Sequence, residues 1–180
     1  MNSAREWGEE EKIWLLDNLE YIPETGNLVW VKSVSARVAV GDVAGTYVSG
    51  YRRIKRKKRG KSLNYRAHRV VWFFHYGWVP PMLDHINGDR SDNRIENLRV
   101  TTPSLNIRNQ KPRGSSKYKG VNLISRNSYS AIGRKCGESI YLGSSKSESE
   151  AAIMYDLWVE ANLSPLERQF SKTNKELGLL

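Results

Sequence analysis

Residues 83–110 read LDHINGDRSDNRIENLRVTTPSLNIRNQ. An acid and a histidine, Asp84 and His85, stand side by side near its start, and asparagines recur at Asn87, Asn93, Asn97, Asn106 and Asn109. Such groups add little to an apolar core, so their density marks a loop or a site. A short strand ending near Asp84, a polar loop, a second strand LRVTT and a short helix fit the pattern. Thr102 suits the helix N-cap and Pro103 the first helical position. The stretch therefore reads β–β–α. Neighbouring strand residues point to opposite sides, so Asp84 and His85 at a strand end can straddle a site. A carboxylate suits a hard divalent cation such as Mg²⁺ or Mn²⁺. A neutral imidazole, with an ordinary pKa of about 6.5, suits removal of a proton from water. An asparagine carbonyl on the following helix would add a second oxygen ligand: Asn106 in its first turn is the first candidate and Asn109 the alternative. The bland reading of the same residues is a strand-end ion pair followed by an Asx-rich turn.

Upstream, YRAHRVVWFFHYG (65–77) reads as an apolar helix that stops at Gly77, with Pro80 and Pro81 beyond. His68 begins this helix, where a local hydrogen bond competes with a direct role, and His75 reads as structural. Residues 1–20 look helical, with Trp14, Leu15 and Leu19 as the apolar edge and acids near the start. YIPETGNLVWV follows as strand, turn, strand, and a small β region runs from Val38 to Lys57, punctuated by glycines. Within it RRIKRKKRGK (52–61) carries eight Lys or Arg in ten positions. Charges this dense repel one another unless a polyanion relieves them. Arg52, Arg53, Lys55, Arg56, Lys57, Lys58, Arg59 and Lys61 are therefore candidate contacts to a nucleic-acid backbone, against the plainer reading of a solvated charge run.

Composition bounds the class. The chain has 180 residues, 39% of them apolar, with a formal net charge of +10 and a mean hydropathy of −0.61. Several small cores are expected rather than one large one, and a polyanionic partner is favoured. No run approaches the roughly 18 apolar residues of a membrane span. One cysteine, Cys136, excludes an internal disulfide, and with three histidines a zinc site built from His and Cys is not expected. A cytoplasmic setting follows as the expectation.

Residues 111–117 (KPRGSSK) read as a basic linker. Beyond it YKGVNLI, SYSAIGR and SIYLG are three short strands, and Ser147 with Glu150 forms a capping box for a helix in which Ala151, Tyr155 and Trp158 share a face. That gives a β–β–β–α unit and a polar tail.

Asp84-His85, Gly88, Asp92-Asn93-Arg94, Asn97-Leu98-Arg99, Thr101 and Asn106 resemble the HNH endonuclease motif. The nearest pattern is that of bacteriophage and intron-encoded homing endonucleases, and the preceding Ala67-His68-Arg69 belongs to the same pattern. The resemblance covers residues 65–110. It implies a ββα-metal fold in which Asp84 and Asn106 hold one Mg²⁺ or Mn²⁺ per active site, His85 is the general base, and Asn97 holds the loop and through it the histidine. Asparagine at the third signature position, where the family often has histidine, argues against zinc. The implied reaction is hydrolysis of a DNA phosphodiester to 5′-phosphate and 3′-hydroxyl ends.

YKGV, SYSAIGR, IYLGSSKSESEAA, MYD and Gln169-Phe170 resemble the AP2 DNA-binding domain of plant transcription factors, over residues 116–171. In that family a three-stranded sheet enters the major groove. Lys119, Arg126, Arg134 and Lys135, with Tyr118, Tyr129 and Tyr141, are the sheet-side candidates here, although Tyr129 and Asn122 stand where tryptophan and arginine are usual.

The sequence thus predicts an α+β protein with four parts. Residues 1–64 form a helix and a β-rich basic region, 65–112 the nuclease core, 113–117 a linker, and 118–180 the AP2-like unit with its tail. The expected partner is double-stranded DNA, with no membrane and no protein partner beyond a possible second copy. Two other classes compete: a DNA-binding regulator with an inactive core, and an RNA-binding protein built on the basic hairpin, which would prefer single strands.

Overall fold

A computed structural model describes residues 5–110, 112 and 114–180. The first four residues of the expected N-terminal helix, and Lys111 and Arg113 of the expected linker region, lie outside the described residues. The chain divides into two compact units between Thr102 and Pro103.

The first unit opens with α1 (Glu9–Asn18), whose three leading glutamates favour the positive end of the helix dipole. It is shorter than the sequence predicts, because Leu19–Ile22 already runs as β1 and pairs antiparallel with β2 (Asn27–Trp30) across the Pro-Glu-Thr-Gly turn. A three-stranded antiparallel sheet follows: β3 (Thr46–Val48), β4 (Tyr51–Lys58) and β5 (Lys61–Arg66), in that order. Its two turns, Ser49-Gly50 and Arg59-Gly60, have positive φ at both central positions. That is the two-residue hairpin geometry matching the twist of the flanking strands. α2 (Ala67–Tyr76) is the predicted apolar helix, and it stops at Gly77 in the left-handed conformation. It buries Val70, Val71, Trp72 and Phe73 against Leu15, Leu19, Leu28, Ile54, Tyr65 and Leu98. The short pair β6 (Leu83–His85) and β7 (Leu98–Val100) completes the unit.

The second unit begins with α3 (Pro103–Arg108). Three antiparallel strands follow, β8 (Val121–Ser125), β9 (Ser128–Lys135) and β10 (Glu138–Ser145), with β9 central. The predicted helix, α4 (Glu148–Asn162), packs on this sheet. Gly120 and Gly133 make that packing possible. A Cβ on Gly133 would lie 2.7 Å from the Trp158 ring, and one on Gly120 would overlap Tyr155. The two aromatics of α4, both half-buried, are therefore seated against the sheet in notches that only glycine leaves open.

Ser147 caps α4 as predicted, accepting from the Glu150 amide, but the Glu150 carboxylate takes the Ser145 hydroxyl rather than closing the box. The polar tail contains a helix the sequence reading passed over: α5 (Pro165–Phe170), opened by a complete box between Ser164 and Glu167. Beyond it Asn174 is fully buried, hydrogen-bonded to the Asp156 carboxylate and to the Lys119 backbone in both directions. Among the described residues no helix is long and apolar enough to cross a membrane.

Candidate active site

β6 and β7 pair with Leu83 opposite Val100, Asp84 opposite Arg99 and His85 opposite Leu98. A three-residue strand buries little by itself, so its side chains are fixed by their neighbours. Arg99 donates from Nε and Nη2 to one Asp84 oxygen, Oδ2, at 3.0 and 2.8 Å. Both residues are largely buried, and a charge-assisted pair in such a place orients the carboxylate firmly. His85 points to the other side of the ladder. Its ring meets that of His68 edge-on, 5.1 Å between centroids, with the Tyr51 ring 6.1 Å away.

Asp84, His85, His68 and Asn93 are 8%, 5%, 4% and 2% exposed, so the site's polar groups are held inside protein. Burial disfavours the imidazolium, and the His85 pKa lies below its ordinary value despite the opposing pull of Asn93 and the nearby aspartates. His68 is pushed down further by burial and by His85 beside it. Both rings are therefore neutral near pH 7.

The loop between the strands explains the asparagines. The Asn97 amide accepts from the Asn87 backbone N–H at 3.0 Å and donates to Asn87 Oδ1 and to the Asp92 carbonyl. Asn87, Asp89 and Asp92 each accept from a backbone N–H two residues on. Side chains thus replace the ladder partners that an irregular segment lacks. Asp92 also pairs with Arg94, chiefly through that contact holding its carboxyl at about 2. From outside the loop, Tyr21 of β1 accepts the Ile95 N–H at 3.0 Å. Gly26 packs so closely that a Cβ there would stand 2.4 Å from the Arg94 nitrogen.

Sequence reasoning placed Asn97 as holding the loop and, through it, the histidine. Asn97 bonds Asn87 and the loop backbone; the side chain that meets the imidazole itself, which sequence reasoning did not single out, is Asn93, whose Oδ1 lies 3.2 Å from His85 Nε2. Asn93 Nδ2 donates to the Ser91 carbonyl, which leaves Oδ1 facing the ring as an acceptor. An acceptor at Nε2 selects the tautomer with its proton on Nε2 and its lone pair on Nδ1. Nothing in the sequence distinguishes Asn93 from its neighbours except its place in the DNR triplet.

Asn106 lies half-buried on α3, which clusters with the second unit, and Asn109 follows that helix. Among the described residues no three His, Cys, Asp or Glu side chains converge as a metal cluster. One anchored carboxylate fits a hard cation that keeps most of its waters and takes the rest of its shell from phosphate. It does not fit structural zinc.

The basic run is not uniform. β4 alternates, with Ile54 fully buried opposite Tyr65, so the even positions face inward. Arg56 lies over the Trp14 ring and pairs with Glu10, as does Lys58. Arg52 stacks on Tyr47 and donates to the Gly45 carbonyl. Lys55 and Lys57 are exposed on the other face, with Arg53 beside Arg66 across the ladder. Arg59 sits in the turn and Lys61 starts β5, both exposed.

In the second unit the candidates also divide. Arg126 is exposed in the β8–β9 turn, and Arg134 shares the face of Ile132 and Tyr141 that α4 leaves uncovered. Lys119 is buried, its ammonium donating to the Arg108 carbonyl. Lys135 lies on the face of Gly133 and donates to the Asn162 carbonyl at the end of α4, while Tyr129 packs into the small core. The expectation that Lys119, Lys135 and Tyr129 present themselves on an open sheet face does not match this placement. Those three side chains serve helix ends and core instead.

Residues 65–108 match the family described as HNH endonuclease. The chain is 36% identical over 93 residues to an uncharacterised HNH endonuclease of Acanthamoeba polyphaga mimivirus, covering 52% of this chain and 46% of that one. It is 37% identical over 79 residues to the DNA endonuclease I-HmuI of Bacillus phage SP01, covering 43% and 45%. The chain thus spans about half the length of the curated relatives it matches. A solved structure of the HNH homing endonuclease I-HmuI, described for its DNA binding and cleavage, aligns at 28% identity and a TM-score of 0.39 over 52% of this chain and 51% of that one. The matched segment begins at the end of β5 and contains α2, the Asp84–His85 strand and the loop that positions it. Residues 65–108 are an HNH endonuclease domain.

Proposed function

We propose that the chain is a site-directed DNA endonuclease of the homing type, hydrolysing a phosphodiester with a divalent metal ion and a histidine general base. One observation carries this reading: inside the HNH segment, a neutral His85 is held by Asn93 through Nε2 and stands beside an anchored aspartate. His85 takes the proton of the attacking water at Nδ1, the atom that carries the lone pair in the tautomer Asn93 selects. A positioned base of this kind contributes about 10²- to 10⁴-fold. Arg99 keeps the Asp84 carboxylate in place across the ladder, and Asn97 keeps the loop from relaxing and moving His85. The Asp84 carboxylate would hold Mg²⁺ or Mn²⁺; such a cation offsets charge that grows on the scissile phosphate and the leaving oxygen. The products carry 5′-phosphate and 3′-hydroxyl ends.

Affinity for the duplex comes from the outward face of the basic hairpin, led by Arg53, Lys55 and Lys57, with Arg59 and Lys61 at its tip. Phosphate contacts of this sort place the protein without choosing a sequence. Sequence choice falls to the second unit, read as AP2-like, through Arg134 and Tyr141 on the uncovered sheet face and Arg126 at its edge. The test is cleavage of phage or plasmid DNA with Mg²⁺ or Mn²⁺ added, compared with His85→Ala. Wild type should cut and the variant should bind without cutting. Duplex binding without cutting by wild type under either metal would favour the inactive DNA-binding regulator.

A further inference from the structure

Beside the catalytic strand lies a cleft of about 530 Å³ between the edge of β5, the start of α2 and the segment leading into β6. Asn64, Arg66, His68 and Arg69 line it, together with Arg5 and Leu83. Its charge is lopsided. Arg5 is answered by Glu11. Arg66 is exposed and lies over the Tyr51 ring, while Arg69 reaches the Pro81 carbonyl. Among the described residues no carboxylate pairs with either. Two guanidiniums one helical turn apart repel each other, and Arg69 is less readily charged for its burial and for Arg66 beside it.

The start of α2 lines the same cleft, and its first turn contains no acid and no side-chain cap. His68, in that turn, is 4% exposed and lines the cleft, yet among the described residues its ring has ring–ring contacts and no hydrogen bond. An acceptor oxygen arriving with a ligand would give that imidazole a hydrogen-bond partner. Two guanidiniums without a carboxylate partner, helix amides and an imidazole that can donate together describe a seat for a tetrahedral oxyanion.

We propose that this cleft seats a backbone phosphate of the bound DNA strand other than the one cut, with Arg66 and Arg69 supplying charge and His68 and Asn64 supplying hydrogen bonds. The identity of the polyanion rests on the function proposed above; the seat itself does not. The His68 ring touches the His85 ring, so a phosphate held here fixes the strand next to the general base. It also gives His68 a role that touches the strand as well as packing on His85.

The experiment measures affinity of the full chain for a fluorescent duplex of arbitrary sequence, in EDTA so that no strand is cut, across a series of KCl concentrations. Removing one phosphate contact should flatten the slope of log affinity against log salt by about 0.9. Arg66→Gln and Arg69→Gln should each flatten it, and Arg66→Lys should restore it. Inorganic phosphate added to wild type should shift the His68 ring resonances and leave those of exposed His75 in place, a readout independent of any variant's folding.

Slopes equal to wild type in both glutamine variants would overturn the seat, as would a His68 signal indifferent to phosphate. A phosphate shift without a slope change would mark a site for the free ion and also overturn it. Cleavage is followed in parallel with Mg²⁺ or Mn²⁺ added. Flattened slopes with no cleavage by wild type would remove the nuclease reading and leave the seat standing, whereas cleavage with unchanged slopes would remove the seat alone.

Discussion

Replacing Asn93 by alanine tests how the general base is held. Asn93 is 2% exposed and its Oδ1 is the acceptor 3.2 Å from His85 Nε2. Alanine leaves a buried N–H unsatisfied, at a cost of about 1–3 kcal/mol. The ring can escape that cost by turning, or by moving its proton to Nδ1. Either escape takes the lone pair away from the water. If the whole cost falls on the productive arrangement, the cleavage step slows about 5- to 150-fold, since 1.36 kcal/mol is tenfold in rate. His85→Ala sets the floor, about 10²- to 10⁴-fold. The assay is single-turnover cleavage with enzyme and metal in excess, beside duplex affinity in EDTA and thermal melting. The expected result is a slower step at unchanged affinity. Asn97→Ala should behave differently, because it removes three hydrogen bonds to the loop and stability falls with rate. An Asn93→Ala protein that cuts at the wild-type rate would refute the reasoning and place the orientation of His85 in the backbone alone.

Gly26→Ala should damage the site from a distance: its φ is +71° and its Cβ would press on the Arg94 nitrogen, so melting temperature and cleavage rate should fall together, and an unchanged rate would show that the loop yields without moving His85. Arg5 chiefly, aided by the Tyr65 hydroxyl and the Gly8 amide, holds the Glu11 carboxyl at about 2 against an ordinary 4.5. A depressed carboxyl contributes fully above its unfolded value and loses that contribution as pH falls through its folded one, so the excess stability of wild type over Glu11→Gln should shrink between about pH 4.5 and 2. Its size at neutral pH is about 3 kcal/mol at most, reduced by the exposure of Arg5, and melting curves that stay parallel down to pH 2 would contradict it. On the hairpin, Lys55→Gln and Lys57→Gln should each flatten the salt dependence of duplex binding by about 0.9 at unchanged stability, whereas Arg56→Gln should lower stability and leave the slope alone. Equal slopes across all three would mean that the strand's two faces do not divide the work.

What the sequence yielded, and what it withheld, follows from the range of the interactions. The β–β–α order around Asp84 and the Gly77 stop of α2 are local, written in spacing, caps and the residues glycine alone allows. Asn93 was hidden because several asparagines in one loop are chemically alike, and only the path of the loop decides which amide meets the imidazole. Lys119 looked like a surface cation. Its burial depends on Asn174, 55 residues on, returning to bond its backbone, and no window of sequence contains both. α5 was legible and overlooked: Ser164, Pro165 and Glu167 spell a capped start as clearly as Ser147 and Glu150 do, and better, since their box closes.

The basic hairpin combines both cases. Eight cations in ten residues suggest a single charged surface, yet a strand has period two, and Ile54 among them settles which side is inward. Once Ile54 is buried, Arg52, Arg56 and Lys58 must share its face, and the fold meets them with Tyr47, Trp14 and Glu10. Their long stems cover apolar surface while their heads are neutralised or stacked, as cations near a core require. The like-charge repulsion that suggested a polyanion is thus relieved on one face by the protein itself. On the other face Lys55 and Lys57 have no such partner among the ion pairs of the described residues. Charge density in a strand is therefore informative about binding only after it is halved by the pleat, and the half that remains lies on the same face as Asn64 and Arg66 at the mouth of the cleft beside His85.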